Sequence, residues 1–109
     1  MKLFSLCIIF LLLSLQVQAA DIEKGRTVAV TVCKTCHGVD GIGIDETYPK
    51  LAGQFASYLE KALLDYRSGE RKNVIMQGFA ATLSDEDIEN VAMYYATLKE
   101  NRLKDLSIK

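Results

Sequence analysis

The sequence predicts an all-α fold with three main helices and one short one. Three observations carry this. Apolar side chains recur at spacings of three and four residues in three separate windows. Polar, glycine-containing joins separate those windows. Only one run alternates like a strand, at residues 27–32, and it lies inside a helical stripe.

The first helix is expected at about residues 22–34. Asp21 and Glu23 supply the acids that suit a helix start, and Ile22, Gly25, Ala29 and Cys33 form a thin stripe. Gly38, Gly41 and Gly43 then mark a loop, which Pro49 closes. The second helix is expected at 54–68. Phe55, Tyr58, Leu59, Ala62, Leu63 and Tyr66 give it a wide apolar face, and Gly69 suits its C-terminal stop. After a polar link at 70–73 comes a short apolar stretch at 74–79, read as irregular and stopped by Gly78. The third main helix is expected at 85–99. Ser84 with Asp87 three residues on reads as a capping pair, and Ile88, Val91, Ala92, Tyr95 and Leu98 carry the stripe. The polar tail at 100–109 is expected to be loosely held.

The front of the chain is a separate object. Met1-Lys2 precedes an apolar run at residues 3–15, broken only by Ser5 and Ser14, and small residues follow at 17–20. This is the layout of a secretory signal, expected to be cleaved after Ala19. The run is shorter than the roughly 20 residues a bilayer span needs, so no stable membrane insertion is expected after cleavage. Residues 20–109 then form one small domain in an exported, periplasmic setting. Beyond residue 19, 12 basic side chains face 14 acidic ones with no basic block, which argues against nucleic acid binding. Leu, Ile, Val and Phe make only 22 of those 90 residues, a thin core that a large internal ligand would complete.

Cys33-Lys34-Thr35-Cys36-His37 carries the chemistry. C-x-x-C-H is the spacing of c-type haem attachment. Two Cys three apart lie about one helical turn apart, so both sulfurs can reach one porphyrin edge. His37 follows directly and offers its imidazole to the iron. A structural zinc site would need four ligands, and this domain holds two Cys and one His, leaving carboxylates to complete it. A thioredoxin-like dithiol needs a sheet that the sequence does not supply. A plain disulfide at this spacing closes too small a loop to stabilise much.

Across residues 25–98 the chain resembles the class I c-type cytochromes, especially the short monohaem bacterial members. Gly25 lies eight residues before Cys33, where the family has the glycine at which its first and last helices cross, and Tyr94 is similar to the aromatic packed there. Pro49-x-Leu51, Gly53-Gln54, Gly69-x-Arg71, Met76 and Leu83-Ser84-x-x-Asp87-Ile88 continue the likeness. The resemblance implies a cytochrome c fold around one covalent haem c per chain. It makes Cys33 and Cys36 the thioether positions, His37 the proximal ligand, the Pro49 carbonyl the acceptor for the His37 ring, and Met76 the distal ligand. Met76 as core filler is the competing role.

Around this site, Arg71 is expected either to face a haem propionate or to stand solvated in its charged link. Tyr48, Tyr58 and Gln54 are candidate pocket residues, with core packing the favoured role of the tyrosines. Ile42, Phe55, Leu59, Leu63, Ile75, Phe79 and Leu83 are expected as apolar haem contacts. The function implied is a soluble periplasmic electron carrier, not an enzyme, that meets redox partner proteins transiently. The alternatives are an electron-transfer subunit of a larger oxidoreductase, for example beside a flavoprotein, and a five-coordinate haem sensor.

Overall fold

The computed structural model describes residues 19–98. The expected tail at 100–109, and the expected signal at 1–19 except its last residue, lie outside the described residues.

The first helix, α1 (Ile22–Val28), starts where Asp21 accepts the Lys24 N–H. It runs without a break into a π-helical stretch, Ala29–Cys33, and then into α2, Lys34–His37. Helical winding therefore continues past the expected end at residue 34, through the whole C-x-x-C-H motif. The π stretch falls within the β-branched run where propensity and periodicity disagree. Both threonines there turn back on their own helix: Thr27 Oγ1 donates to Glu23 O at 3.1 Å, and Thr31 Oγ1 to Thr27 O at 2.8 Å. Such bonds let a threonine sit in a helix while loosening its regular ladder.

Helix α3 spans Ala56–Ser68 and ends on Gly69, whose φ is 85°. Helix α4, Val74–Ala80, is the short helix that the fold class expects, and it occupies the stretch read locally as irregular. Asn73 caps it by accepting the Met76 N–H at 2.9 Å, and Gly78 sits inside the helix instead of ending it. Helix α5, Asp85–Ala96, opens with the expected capping box of Ser84 and Asp87.

The core is where α1, α3 and α5 meet. Ala29, Leu59, Ile88, Val91, Ala92 and Tyr95 are buried there. The α1–α5 crossing is close because Gly25 has no side chain: a Cβ at that position would stand 2.9 Å from Tyr94 Cβ. Asn90, also buried, accepts the Asp21 N–H through Oδ1 at 2.7 Å, and Lys24 pairs with Glu86 at 3.0 Å on the surface above. Arg67 ties α3 to the start of α5 by donating to Leu83 O at 3.1 Å and pairing with Asp85. Among the described residues no helix is long and apolar enough to cross a membrane.

Candidate cofactor site

A cavity of about 340 Å³ opens between α2, α3, α4 and α5. This lies in the range of cofactor pockets, roughly 300–1,000 Å³. Cys33, Cys36, His37, Pro49, Arg71 and Met76 all line it, although the sequence spreads them over 44 positions.

Continuous winding through the motif puts Cys33, Cys36 and His37 on the same wall. Both cysteines are half-buried and are not joined to each other. Burial pushes the Cys33 thiol up to about 11, partly offset by the neighbouring Tyr95 hydroxyl. The Tyr48 phenol is held above its ordinary value, first by its hydrogen bond with Cys36. His37 is buried, and its Nδ1 lies 3.0 Å from Pro49 O. A proline carbonyl only accepts, so Nδ1 carries a proton, and in the neutral ring that leaves the Nε2 lone pair for a ligand bond. The loop after His37 folds back on α2: Gly43 N donates to His37 O at 2.8 Å and Ile44 N to Cys36 O at 3.0 Å.

Met76 comes from α4 and is half-buried, with Ile75, Phe79 and Ala80 beside it on the lining. Met93, by contrast, is exposed on α5 and does not line the cavity. Arg71 stands at an exposed part of the lining. It donates to the Tyr58 hydroxyl at 3.3 Å, and its guanidinium lies 4.8 Å from the centre of the Tyr66 ring.

Leu59, Leu63, Ile75, Phe79 and Leu83 line the cavity as expected, and so does Gln54. Two expected contacts do not. Ile42 lies in a turn braced by Asp40, with its side chain 48% exposed. Phe55 is the extended residue that precedes α3, so its side chain leaves the helix face and is 77% exposed. Tyr58 also departs from the core-packing expectation: it lines the cavity while remaining about half exposed. Tyr95, Val91 and Ala92 line the cavity too, and the sequence reading placed them only in a helix stripe.

The donor set fits a covalent haem. Two thiols, an imidazole with Nε2 free and a thioether share one wall system that is otherwise mostly apolar. Exposed Ile75 and Phe79 on that wall are surface that a flat apolar group would cover. Among the described residues no three His, Cys, Asp or Glu side chains gather as a metal site, so the zinc alternative lacks its ligands.

Comparison with known proteins agrees with this chemistry. The Cytochrome c family model matches residues 22–99. The chain is 50% identical over 88 residues to the thiosulfate dehydrogenase electron acceptor of Stutzerimonas stutzeri, covering 75% of this chain and 41% of that protein. It is 45% identical over 82 residues to cytochrome c-554(548) of Halomonas halodenitrificans, covering 72% of this chain and 98% of that one. The solved structure of Acidithiobacillus ferrooxidans cytochrome c4 superposes with a TM-score of 0.69 at 27% identity, over 75% of this chain and 52% of that one. This chain thus spans about half or less of two of these three proteins and nearly all of the third. It belongs to the cytochrome c family, with the cytochrome c fold and covalently bound haem c.

Proposed function

We propose that this chain is a periplasmic electron carrier whose haem is joined to Cys33 and Cys36 and ligated by His37 and Met76. The observation that carries the reading is the His37–Pro49 bond. It fixes the ring tautomer that leaves Nε2 as a ligand, within a cavity that Met76 also lines.

When bound, the haem supplies a reversible one-electron couple at its iron. The chain's own residues do the rest. Pro49 holds the imidazole orientation through its carbonyl. Met76 would hold the iron through its thioether sulfur, which would favour the reduced state relative to a second imidazole. Leu59, Leu63 and Leu83 keep water from the walls, which disfavours added positive charge inside. Arg71, held by Tyr58 and Tyr66, would offer its charge to a propionate at the mouth. With His37 and Met76 both holding the iron, little would need to move when an electron arrived.

The exported protein should show the sharp ferrous α band of a c-type haem. Its ferric form should show the weak red band of methionine sulfur ligation, and Met76→Ala should abolish that band. Carbon monoxide binding by the unmodified ferrous protein would contradict Met76 ligation and favour the five-coordinate sensor.

A second reading has one observation behind it. The half-identical Stutzerimonas relative is named as the electron acceptor of a thiosulfate dehydrogenase. On that reading this chain accepts electrons from a larger oxidoreductase that stays bound to it. Co-purification of the tagged exported chain with such an enzyme would support it. A chain that purifies alone at native expression and still cycles between oxidised and reduced forms would favour the free carrier.

A further inference from the structure

We propose that Tyr95 is a positioning residue for the histidine side of the site, locking together the two backbone segments that orient His37. The inference rests on His37 being the proximal ligand, as read above.

Two segments decide how the His37 ring stands. One is the chain that leaves His37 through Gly38. The other is the loop from Pro49 to Gly53, which carries the carbonyl bound to Nδ1. Tyr95 grips both. Its hydroxyl donates at 2.9 Å to Gly38 O, the carbonyl of the residue that follows His37. Its own carbonyl accepts the Gly53 N–H at 2.9 Å, closing the second segment onto α5.

The ring fills the point where the segments join. Gly41 O accepts both Leu51 N at 2.7 Å and Ala52 N at 3.0 Å, stitching the two loops together. Gly41 has a φ of 72°, and a Cβ there would stand 2.8 Å from Tyr95 Cδ1 and 2.8 Å from Ala52 N. The aromatic edge is therefore in contact with the stitch itself. Tyr95 is 2% exposed, so its hydroxyl bond is sheltered from water, and the ring also lines the cavity. Its neighbour Tyr94 makes a parallel but more distant bond, its hydroxyl donating to Val39 O at 2.8 Å.

A phenol bond of this kind to a ligand-bearing loop acts through orientation. Without the hydroxyl, Gly38 O loses its shorter bond and keeps the longer one from Gly41 N, at 3.2 Å, so the Gly38–Val39 peptide can tilt. The Pro49 loop keeps its backbone bonds to Gly41 and Tyr95. The imidazole then samples a wider range of angles, while the core volume at position 95 hardly changes.

The test uses the haem-loaded exported protein with Tyr95→Phe and, as comparison, Tyr94→Phe. Tyr95→Phe should keep normal haem content and a visible spectrum close to the parent. Its ferric electron paramagnetic resonance should show shifted or broadened g-values, its reduction potential should move, and Leu51 and Ala52 amides should exchange roughly 5- to 10-fold faster. Tyr94→Phe should leave the g-values and potential where they were. Equal shifts in both variants, or none in Tyr95→Phe, would overturn the proposal. In the unmodified protein, the Gly53 amide should exchange as slowly as the amides of α5. Open-loop exchange at Gly53 would overturn the proposal without any variant. If the unmodified chain carries no covalent haem, the ligand reading itself fails. Normal haem with an unmoved Tyr95→Phe signature defeats the positioning role alone.

Discussion

Gly25 and Asn90 touch backbone to backbone: a Cβ added to Gly25 would stand 2.0 Å from the Asn90 carbonyl oxygen. No side-chain rotation relieves such an approach, because the atom met belongs to the main chain of α5. The crossing of α1 and α5 therefore depends on a hydrogen atom at this position.

Gly25→Ala should cost about 3 kcal/mol, since the two helices must separate to admit one methyl group. In a domain this size the melting temperature should fall by roughly 10–20 °C. Gly78→Ala is the matched opposite. Gly78 lies inside α4 with nothing within 4 Å of the added Cβ, so replacement should gain about 0.5–1 kcal/mol. Thermal melts of the two haem-loaded variants check both signs.

The double variant Cys33→Ser with Cys36→Ser should leave the exported chain largely unfolded. Ile75, Phe79 and Tyr58 line the cavity at 64%, 43% and 49% exposure. Covering them is worth roughly 3–5 kcal/mol, a large part of the 5–15 kcal/mol that holds a small domain. Limited proteolysis reads the outcome. A protease-resistant, cooperatively melting chain without haem would contradict the expectation.

Alkaline stability should depend on Tyr95. Burial pushes its phenol well above the ordinary value of 10.0. Above about pH 10 the unfolded chain gives up this proton while the folded chain keeps it. Unfolding then releases a proton, and stability is lost as pH rises, by about 1.4 kcal/mol per pH unit. Below pH 10 the contribution is fully present. Denaturant midpoints taken from pH 8 to 11 should fall more steeply for the parent than for Tyr95→Phe.

Much of this was legible in the sequence because local chemistry and tertiary role coincide there. Ser84 and Asp87 cap α5 with their own side chains, and Gly69 ends α3 by its backbone freedom, so neither needs a distant partner to be read. The Cys33, Cys36 and His37 spacing encodes its own geometry once the stretch is helical. Other features depended on long-range partners. Tyr95 looks like any stripe residue until the loops it holds, more than 40 positions away, fold against it. Phe55 reads as the first residue of an apolar face, yet the helix begins one position later and its side chain turns outward. Gly78 reads as a stop, but seven residues with an Asn73 cap and a packed Ala80 tolerate its flexibility. Periodicity reports which face a residue shares and is silent on how far that face is covered.

The widened turn at Ala29–Cys33 has a consequence for how this chain tolerates length change. A π turn holds more residues than an α turn, so it acts as a phase adjuster between the half that meets α5 and the half that carries the thiols. Removing one residue from 30–32 would restore ordinary winding and a sounder ladder. The five π residues turn the axis little further than four α residues do, so positions on either side would keep nearly their present relative phase. Gly25 could still seat against Asn90 while the sulfurs face their recess, whereas a deletion in the regular winding of Ile22–Val28 would set those two demands roughly 100° apart.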